Sequence, residues 1–166
     1  MFVHIETDAG VTGSAGPITR EQAHLIETGF APLLVSQNPL ATEYLWDVMY
    51  RSAVHGRKGV EMMAISALDC ALWDLKGRHF GVPVYVLLGG PVRDSIPAYA
   101  SALGYSLDLD AARERAADIA AQGFSATKWF PRHGPTDGKA GMEVNVALIA
   151  ALRDTVGPDV DIMVDA

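Results

Sequence analysis

The sequence predicts an α+β module over residues 1–92, followed from residue 93 by the start of a parallel α/β unit. Two observations support this division. The first 92 residues combine one strand-like hairpin with three helical stretches, whereas the later residues alternate strand, helix, strand, helix and strand. Such alternation, with loops long enough for crossovers, is typical of a parallel sheet. A doubly wound sheet and a (β/α)8 barrel both begin this way, and periodicity alone does not separate them.

The first module opens on a predicted hairpin and continues as helices. Residues 2–7 alternate between apolar and polar side chains, as a half-buried strand does, and turn residues follow them. A stable sheet usually needs three or more strands, so a sheet that begins on this segment is expected to lack its first strand. Three helices are predicted after it: residues 20–30 with Thr19 as cap and an end near Pro32, a second with Thr42 as cap, and residues 60–80.

The second module is predicted as three strands separated by two helices. The strands are expected at residues 96–101, 126–130 and 161–164, and the helices at 111–121 and 143–156. Asp108 or Asp110 is expected to open the first of these helices, and Gly123 to end it. A loop rich in glycine and proline precedes the second helix.

The composition limits the kinds of partner. The 166 residues carry a formal net charge of -7, and a field of that sign repels a polyanion, so nucleic acid is not an expected partner. No apolar stretch reaches the ~20 residues that span a bilayer, and Glu6 and Asp8 interrupt any signal peptide. The single cysteine, Cys70, lies in an apolar run and is expected to be a buried structural thiol. We therefore expect a reducing, cytoplasmic setting and no membrane partner.

Two adjoining segments carry a family resemblance. Residues 64–78 read AISALDCALWDLKGR, and residues 83–90 read PVYVLLGG. Together they resemble the signature of the mandelate racemase and muconate lactonizing enzyme group, a branch of the enolase superfamily. The resemblance implies structural roles for five signature residues, which are Asp69, Asp74, Gly77, Pro83 and Gly89. A physical argument agrees for the two aspartates, because residues five apart on a helix lie about 140° apart around its axis and do not converge on one substrate.

The resemblance extends over essentially the whole chain and implies its architecture. Residues 1–92 would be the capping domain, without its first strand. Residues 93–166 would be the first two and a half βα units, roughly, of a (β/α)8 (TIM) barrel that is truncated. Enzymes of the family abstract a proton next to a carboxylate and stabilise the resulting enediolate on Mg²⁺, which is therefore the expected cofactor.

Asp165 is the expected metal ligand. It directly follows the predicted strand 161–164, and the active sites of barrels lie at the carboxyl ends of their strands. Carboxylates suit a hard, oxygen-preferring cation such as Mg²⁺. The resemblance implies that Asp165 is the first of three ligands, with the others on strands 4 and 5 and a His–Asp base on later strands. Spacing alone leaves open that Asp165 caps the loop after it.

Lys128 is the expected catalytic residue of the second barrel strand. The family often places Lys-x-Lys at the end of that strand, whereas this chain has Lys128-Trp129-Phe130. Strand periodicity puts Lys128 and Phe130 on one face, towards the barrel mouth. A phenyl ring cannot move a proton, so a racemisation that needs two bases would lack one of them. Lys128 would then hold the substrate carboxylate or adjust local charge, and a surface lysine at a strand end is the alternative.

The loop after this strand supplies further candidates. Residues 128–135 read KWFPRHGP and resemble acid-sugar dehydratases, with rhamnonate-type enzymes as the closest pattern. Arg132 could bind a substrate carboxylate, and His133 is of the residue type that transfers protons near neutral pH. Arg57 and Lys58, in a basic loop of the capping domain, could attract an anionic sugar acid. A solvated loop is the alternative for each of these side chains.

Three functions remain open at this point. The first is a Mg²⁺-dependent acid-sugar dehydratase, a homo-oligomer in its full-length form, which acts on a small anionic sugar acid. The second is a racemase, epimerase or cycloisomerase of the same superfamily, against which Phe130 argues. The third is a non-catalytic α/β binding module. Because one aspartate is a weak Mg²⁺ site, the polypeptide by itself is expected to be inactive, and the open edge of its last strand is expected to promote association.

Overall fold

The structure, a computed structural model, describes residues 1–56 and 58–165. The chain forms two compact units, Met1–Val92 and Arg93–Ala166, and each has its own hydrophobic core. None of the described helices is long and apolar enough to cross a membrane.

The first unit is a two-stranded sheet packed on helices. Strands β1 (Val3–Glu6) and β2 (Thr12–Ala15) pair in antiparallel register. The helices are α1 (Arg20–Leu25), α2 (Ala31–Leu34), α3 (Thr42–Ser52), α4 (Gly59–Phe80) and α5 (Val84–Leu87), and a π-helical turn, Ile26–Phe30, joins α1 to α2. Helix α4 contacts both strands and α1 and α3, so it forms the centre of this unit.

Two helix boundaries differ from the prediction. The first helix does not end near Pro32, because the π-helical turn places this proline near the start of α2, where its missing N–H group costs nothing. Thr42 is not a cap but the first residue of α3, and its buried hydroxyl accepts a hydrogen bond from Lys76 Nζ at 3.3 Å. Thr19 does cap α1, as predicted, in a capping box with Gln22.

A close approach between β2 and α4 organises the first core. A Cβ atom on Gly13 would overlap the carbonyl oxygen of Ala71 and would lie 2.6 Å from Leu75 Cβ. The buried apolar side chains are Val3, Ile26, Phe30, Leu45, Met49, Ala64, Ile65, Leu68, Ala71 and Leu72. Cys70 is exposed, so the prediction of a buried thiol was wrong. The apolar run in the sequence is wider than the face that α4 buries, and Cys70 lies on the outer side.

The second unit is a parallel three-stranded sheet with two connecting helices. Its strands are β3 (Ala100–Ser101), β4 (Ala126–Trp129) and β5 (Asp161–Val164), which lie in that order. Helix α6 (Leu109–Ala121) connects β3 to β4, and helix α7 (Gly138–Val156) connects β4 to β5 after a 3-10 turn at Pro135–Asp137. This arrangement matches the alternation that the sequence predicts for a parallel sheet.

The bounds of β3 and α7 in this unit differ from the predicted ones, and local hydrogen bonds explain the observed bounds. Strand β3 has two residues rather than the six predicted, because only Ala100 and Ser101 pair with β4. Asp108 is the residue that caps α6, since its side chain accepts hydrogen bonds from the backbone of Asp110 and Ala111. Helix α7 begins earlier than predicted, at Gly138, because the 3-10 turn leads directly into it.

Strand periodicity divides the side chains of this sheet between two faces. Thr127 and Trp129 are fully buried on the face that the helices cover. The core of the unit consists of Ala102, Ala112, Ala116, Trp129, Leu148 and Leu152. Ser101, Lys128 and Met163 lie opposite one another in the register of the three strands and therefore share the other face. This second face carries the candidate site.

Candidate functional site

An ion pair joins the carboxyl ends of two neighbouring strands. Lys128 Nζ lies 2.7 Å from Asp165 Oδ2. The backbone N–H of Asp165 donates to the carbonyl of Trp129 at 3.0 Å, which extends the pairing of β4 with β5 by one step. The side chain of Lys128 is 22% exposed and that of Asp165 is 50% exposed, so the pair is open to a ligand from one side. The structure thus brings together the two residues that the sequence identified as candidates on separate strands.

Two aromatic rings flank the ammonium group of this pair. Lys128 Nζ lies 4.9 Å from the ring centre of Phe130 and 5.8 Å from that of Tyr99. Tyr99 precedes β3, and Phe130 follows β4 on the face that also carries Lys128. An aromatic face attracts a cation at such distances. Tyr99 was not identified from the sequence, although it lies inside the strand predicted at residues 96–101, which comes before the strand of Lys128.

The surroundings of Lys128 favour its charged form. The hydrogen bond to Asp165 is the largest cause of a raised pKa of the lysine, and partial burial opposes it. The charge of Asp165 and the neighbouring Tyr99 raise the pKa further. A lysine with a raised pKa remains an ammonium group at neutral pH and does not readily accept a proton. The arrangement presents a cation on this face, which can bind an anion.

Asp165 has the chemistry of a metal ligand, but the described residues place few other potential ligands beside it. Its carboxylate is half exposed at a strand end, and carboxylate oxygens are what Mg²⁺ prefers. No group of three or more His, Cys, Asp or Glu side chains that could hold a metal lies within residues 1–56 and 58–165. Asp165 would therefore contribute one oxygen ligand, and the nearest charge to it is the ammonium of Lys128.

The loop after β4 is held in place by the amide of Asn145 in α7. Asn145 Nδ2 donates to the carbonyl of His133 at 2.8 Å, and the N–H of His133 donates to Asn145 Oδ1 at 3.4 Å. Asp137 Oδ2 accepts the N–H of Gly134 at 2.9 Å and lies 3.5 Å from His133 Nδ1. These bonds fix the backbone around His133. Asn145 was missed from the sequence, because an asparagine inside a helix gives no local signal of a contact with a residue 12 positions earlier in the chain.

Arg132 and His133 lie on this fixed loop. With Asn145 and Arg153 they line an open cavity of about 1110 Å³, whose remaining lining is largely apolar. A Cβ atom on Gly141 would lie 2.9 Å from His133 Cβ, so the glycine makes room for the loop against α7. Ile162 and Val164 line the same cavity and alternate with Met163 along β5, so this cavity lies on the helix-covered face and not on the face that carries Lys128.

The basic loop of the first unit is described only in part. Arg57 lies outside the described residues. Lys58 is exposed and occupies the cap position of α4 without a side-chain bond to the helix. Glu61, one turn into the helix, packs its carboxylate directly over Gly56, where any Cβ atom would overlap it. Lys58 is therefore presented to solvent.

The signature aspartates make contacts within the first unit. Asp74 Oδ2 accepts the backbone N–H of Ser14 at 2.9 Å and the Nε of Arg78 at 2.9 Å, which ties α4 to β2. Asp69 is partly buried, and this burial raises its pKa, with a smaller contribution from the charge of Glu43. Neither contact brings the two carboxylates together on one ligand.

The other signature residues shape the end of α4 and the turns after it. A Cβ atom on Gly77 would lie 2.8 Å from the Val82 carbonyl, and the N–H of Val82 donates to the Gly77 carbonyl at 2.9 Å. Pro83 occupies the cap position of α5, and Gly89 has φ +112°, a conformation that favours glycine. These contacts are local to the helix end.

Comparison with known proteins agrees with the first unit. A family profile described as "Mandelate racemase / muconate lactonizing enzyme, N-terminal domain" matches residues 1–89. The chain belongs to the mandelate racemase / muconate lactonizing enzyme family. The resemblance carried by the signature is thereby confirmed, as is the interpretation of the first unit as the capping domain of this family.

Two curated relatives of this family member differ in chemistry. The D-galactarolactone cycloisomerase of Agrobacterium fabrum is 35% identical over 173 residues, which cover 100% of this chain and 43% of the relative. The L-rhamnonate dehydratase of Saccharopolyspora erythraea is 35% identical over 167 residues, which cover 99% of this chain and 40% of the relative. The chain therefore spans less than half the length of these relatives.

Solved structures of family members superpose well. The L-rhamnonate dehydratase from Gibberella zeae has a TM-score of 0.84 and 34% identity, covering 99% of this chain and 40% of that one. A racemase from Streptomyces coelicolor A3(2) with bound magnesium has a TM-score of 0.86 and 30% identity, covering 99% and 49%. The related enzymes thus include dehydratases, a cycloisomerase and a racemase.

Proposed function

We propose that these residues form the capping domain and the first three barrel strands of a Mg²⁺-dependent acid-sugar dehydratase. The observation that carries the proposal is the pair of Lys128 and Asp165 at the carboxyl ends of neighbouring parallel strands, 2.7 Å apart, with Phe130 where the family often has a second lysine. Active sites of parallel barrels lie at this end of the strands.

The proposed reaction removes water from a sugar acid. A base takes the proton from the carbon next to the carboxylate, and the hydroxyl group on the following carbon leaves with a proton as water. The enol that results becomes a 2-keto-3-deoxy acid by moving one proton from oxygen to carbon. The step needs a cation near the carboxylate, because negative charge develops there as the proton leaves.

Lys128 supplies such a cation in this chain. Its ammonium group is directed by strand periodicity to the face that the helices leave free, and the hydrogen bond to Asp165 raises its pKa and so favours the charged form. Phe130 beside it can exclude water and orient the lysine, but it cannot transfer a proton. The side of the substrate that faces β4 therefore has a binding cation, and the base would act from elsewhere in the barrel.

Asp165 would hold Mg²⁺ together with ligands from outside the described residues. Bound Mg²⁺ would supply positive charge to the carboxylate oxygens of the substrate. The chemistry of the carboxylate supports this role, and a related racemase structure contains magnesium. We propose that Arg132 supplies positive charge on the loop after β4 for an anionic substrate, and the same role for Arg57 and Lys58 of the capping domain stays a prediction.

A second candidate function is isomerisation. The 35% identity to a D-galactarolactone cycloisomerase equals the identity to the L-rhamnonate dehydratase, so similarity alone does not separate the two reactions. Phe130 favours dehydration over a reaction that needs proton carriers on both faces, because it removes the usual second lysine. A cycloisomerisation that uses one base is the stronger of the isomerising alternatives.

The test is a substrate screen with the full-length enzyme that contains these residues. We expect Mg²⁺-dependent formation of 2-keto-3-deoxy acids from one or a few sugar acids. Lys128→Met is expected to lower kcat/KM strongly, and Lys139→Met, an exposed lysine on α7, serves as the matched control. A product that retains the elements of water, with an inverted centre or a new ring, would reject dehydration in favour of isomerisation.

A further inference from the structure

We propose that Tyr99 is a positioning residue, whose ring holds the ammonium group of Lys128 in place on the face of the sheet that carries the candidate site. The inference rests on the proposed function, in which Lys128 binds the carboxylate of the substrate. It adds a residue beside β3 to a site that is otherwise built at the ends of β4 and β5. Tyr99 acts through the lysine, so its effect on the reaction is indirect.

The order of the strands brings Tyr99 next to Lys128. Strand β3 pairs with β4 in parallel, and Ser101 lies opposite Lys128 in their register. Tyr99 precedes Ser101 by two residues, and side chains two apart on an extended chain share a face. Lys128 Nζ lies 5.8 Å from the ring centre of Tyr99, so the tyrosine side chain turns towards the ammonium group.

Side chains from three segments of the chain surround this ammonium group. Asp165 Oδ2 lies 2.7 Å from Nζ, and the ring centres of Phe130 and Tyr99 lie 4.9 and 5.8 Å from it. An aromatic ring attracts a cation within about 6 Å of its centre. The side chain of Lys128 is 22% exposed, so its surroundings cover most of it and leave a limited opening for a ligand.

Tyr99 supplies bulk on a side of the lysine where β3 has little. Of the two residues of β3, Ala100 lies opposite the buried Thr127, and only the small side chain of Ser101 shares the face of Lys128. A lysine has a flexible four-carbon stem, and ordering it costs conformational entropy. A lysine that is already held by a ring needs less ordering when it binds a carboxylate, which favours a low KM.

The position of the lysine can be measured on this chain without any reaction. In protein with ¹³C-labelled lysine, NMR is expected to show different shifts for the two Hε protons of Lys128, because a held methylene group has a fixed orientation to the rings. Tyr99→Leu is expected to lose most of this difference and to approach Lys139, an exposed lysine on α7. Tyr99→Phe keeps the ring and is expected to retain the difference. Equal shifts in the unsubstituted chain, or an unchanged difference in Tyr99→Leu, would overturn the proposal.

In the full-length enzyme, KM and kcat separate positioning from a general loss of structure. Tyr99→Leu is expected to raise KM roughly tenfold and to leave kcat within roughly threefold, because the cation is still present but no longer held. Tyr99→Phe is expected to recover most of the change in KM. Tyr44→Leu, at an exposed tyrosine of α3, is the matched control. A fall in kcat with unchanged KM, or equal impairment of Tyr99→Phe and Tyr99→Leu, contradicts the role of the ring.

The failure of this inference and the failure of the proposed function are distinguishable. If the lysine signals change as expected but the full-length enzyme isomerises its substrate, dehydration is rejected and the positioning of Lys128 stands. If the enzyme dehydrates a sugar acid but the lysine signals and KM are the same in Tyr99→Leu, the proposed function stands and the role of Tyr99 is wrong. Circular dichroism spectra verify that each variant is folded.

Discussion

Asp74, in the middle of α4, accepts the backbone N–H of Ser14, which lies 60 positions earlier in the chain, at 2.9 Å. The same oxygen also accepts Arg78 Nε at 2.9 Å. The contact explains why a carboxylate can lie in an apolar signature helix, because its charge is satisfied by a backbone donor of the sheet and by a side chain of its own helix. It joins the two elements that form the first core.

Removing this carboxylate is expected to destabilise the first unit. Asp74→Ala leaves the N–H of Ser14 without its charged acceptor, which costs about 1–3 kcal/mol of unfolding free energy. Urea unfolding followed by tryptophan fluorescence measures the change, since Trp46 and Trp73 both lie in this unit. The matched control is Asp47→Ala, whose carboxylate pairs with Arg51 at 2.8 Å on the surface. If Asp74→Ala and Asp47→Ala lose equal amounts of unfolding free energy, the hydrogen bond from Ser14 to Asp74 does not stabilise the unit.

The close packing of β2 on α4 gives a second prediction. Gly13→Ala places a methyl group against the Ala71 carbonyl and Leu75, so the strand must shift and stability is expected to fall by about 1–3 kcal/mol. Gly29→Ala is the control, because a Cβ atom there meets no heavy atom within 4 Å. That variant is expected to be neutral or slightly stabilising. Thermal unfolding of the two variants is the measurement, and an unchanged Gly13→Ala chain would contradict the packing.

The partly buried Asp69 gives a dependence of stability on pH. Burial and the charge of Glu43 raise its pKa above the ordinary value of 3.8, so the folded chain binds this proton more tightly than the unfolded chain. The contribution of Asp69 to stability therefore falls as pH rises from 3.8 through the raised pKa. Asp69→Asn is expected to be at least as stable as the unsubstituted chain at neutral pH, with an advantage that disappears at acidic pH.

Unfolding of this variant across a pH series is the measurement. The exposed Asp8→Asn serves as the control for loss of one surface charge. Its difference from the unsubstituted chain is expected to vary less with pH than that of Asp69→Asn. A lower stability of Asp69→Asn at neutral pH would mean that the carboxylate of Asp69 makes a favourable contact in the folded chain.

The positions of the candidate site residues on the sheet could be predicted because they depend on local sequence patterns. Strand periodicity was enough to place Lys128 and Phe130 on one face, and the position of Asp165 after a strand was enough to place it at the same edge. Both are properties of a short stretch of chain. Their roles in catalysis and metal binding stay predictions, because they depend on partners outside the described residues.

The expectations that failed depended on tertiary contacts. Thr42 has the residue type of a cap, but the hydrogen bond from Lys76 draws its hydroxyl into the unit. Cys70 lies in an apolar run, but which side of α4 is covered is decided by β2. Asn145 was missed for the same reason, since its two bonds to His133 form only after α7 packs beside the loop. Local patterns contain no information about such contacts.

The 166-residue chain, purified alone, is expected to show no dehydratase turnover even with excess Mg²⁺. Within its described residues no group of three metal-binding side chains exists, and a single carboxylate binds Mg²⁺ weakly. The measurement is a coupled assay for 2-keto-3-deoxy acids over the same sugar acids used for the full-length enzyme. Turnover that persists in the purified chain and is lost in Asp165→Asn would show that Asp165 is sufficient as a metal site.

The central claim is that Lys128 acts as a cation and not as a base, and replacement by arginine tests it most directly. Arginine keeps the charge but cannot be deprotonated in a protein. In the full-length enzyme, Lys128→Arg is expected to retain kcat within roughly tenfold, with the larger change in KM, whereas Lys128→Met is expected to lose much more of kcat/KM. If both variants lose kcat equally, by roughly a thousandfold or more, Lys128 transfers a proton and the claim is wrong.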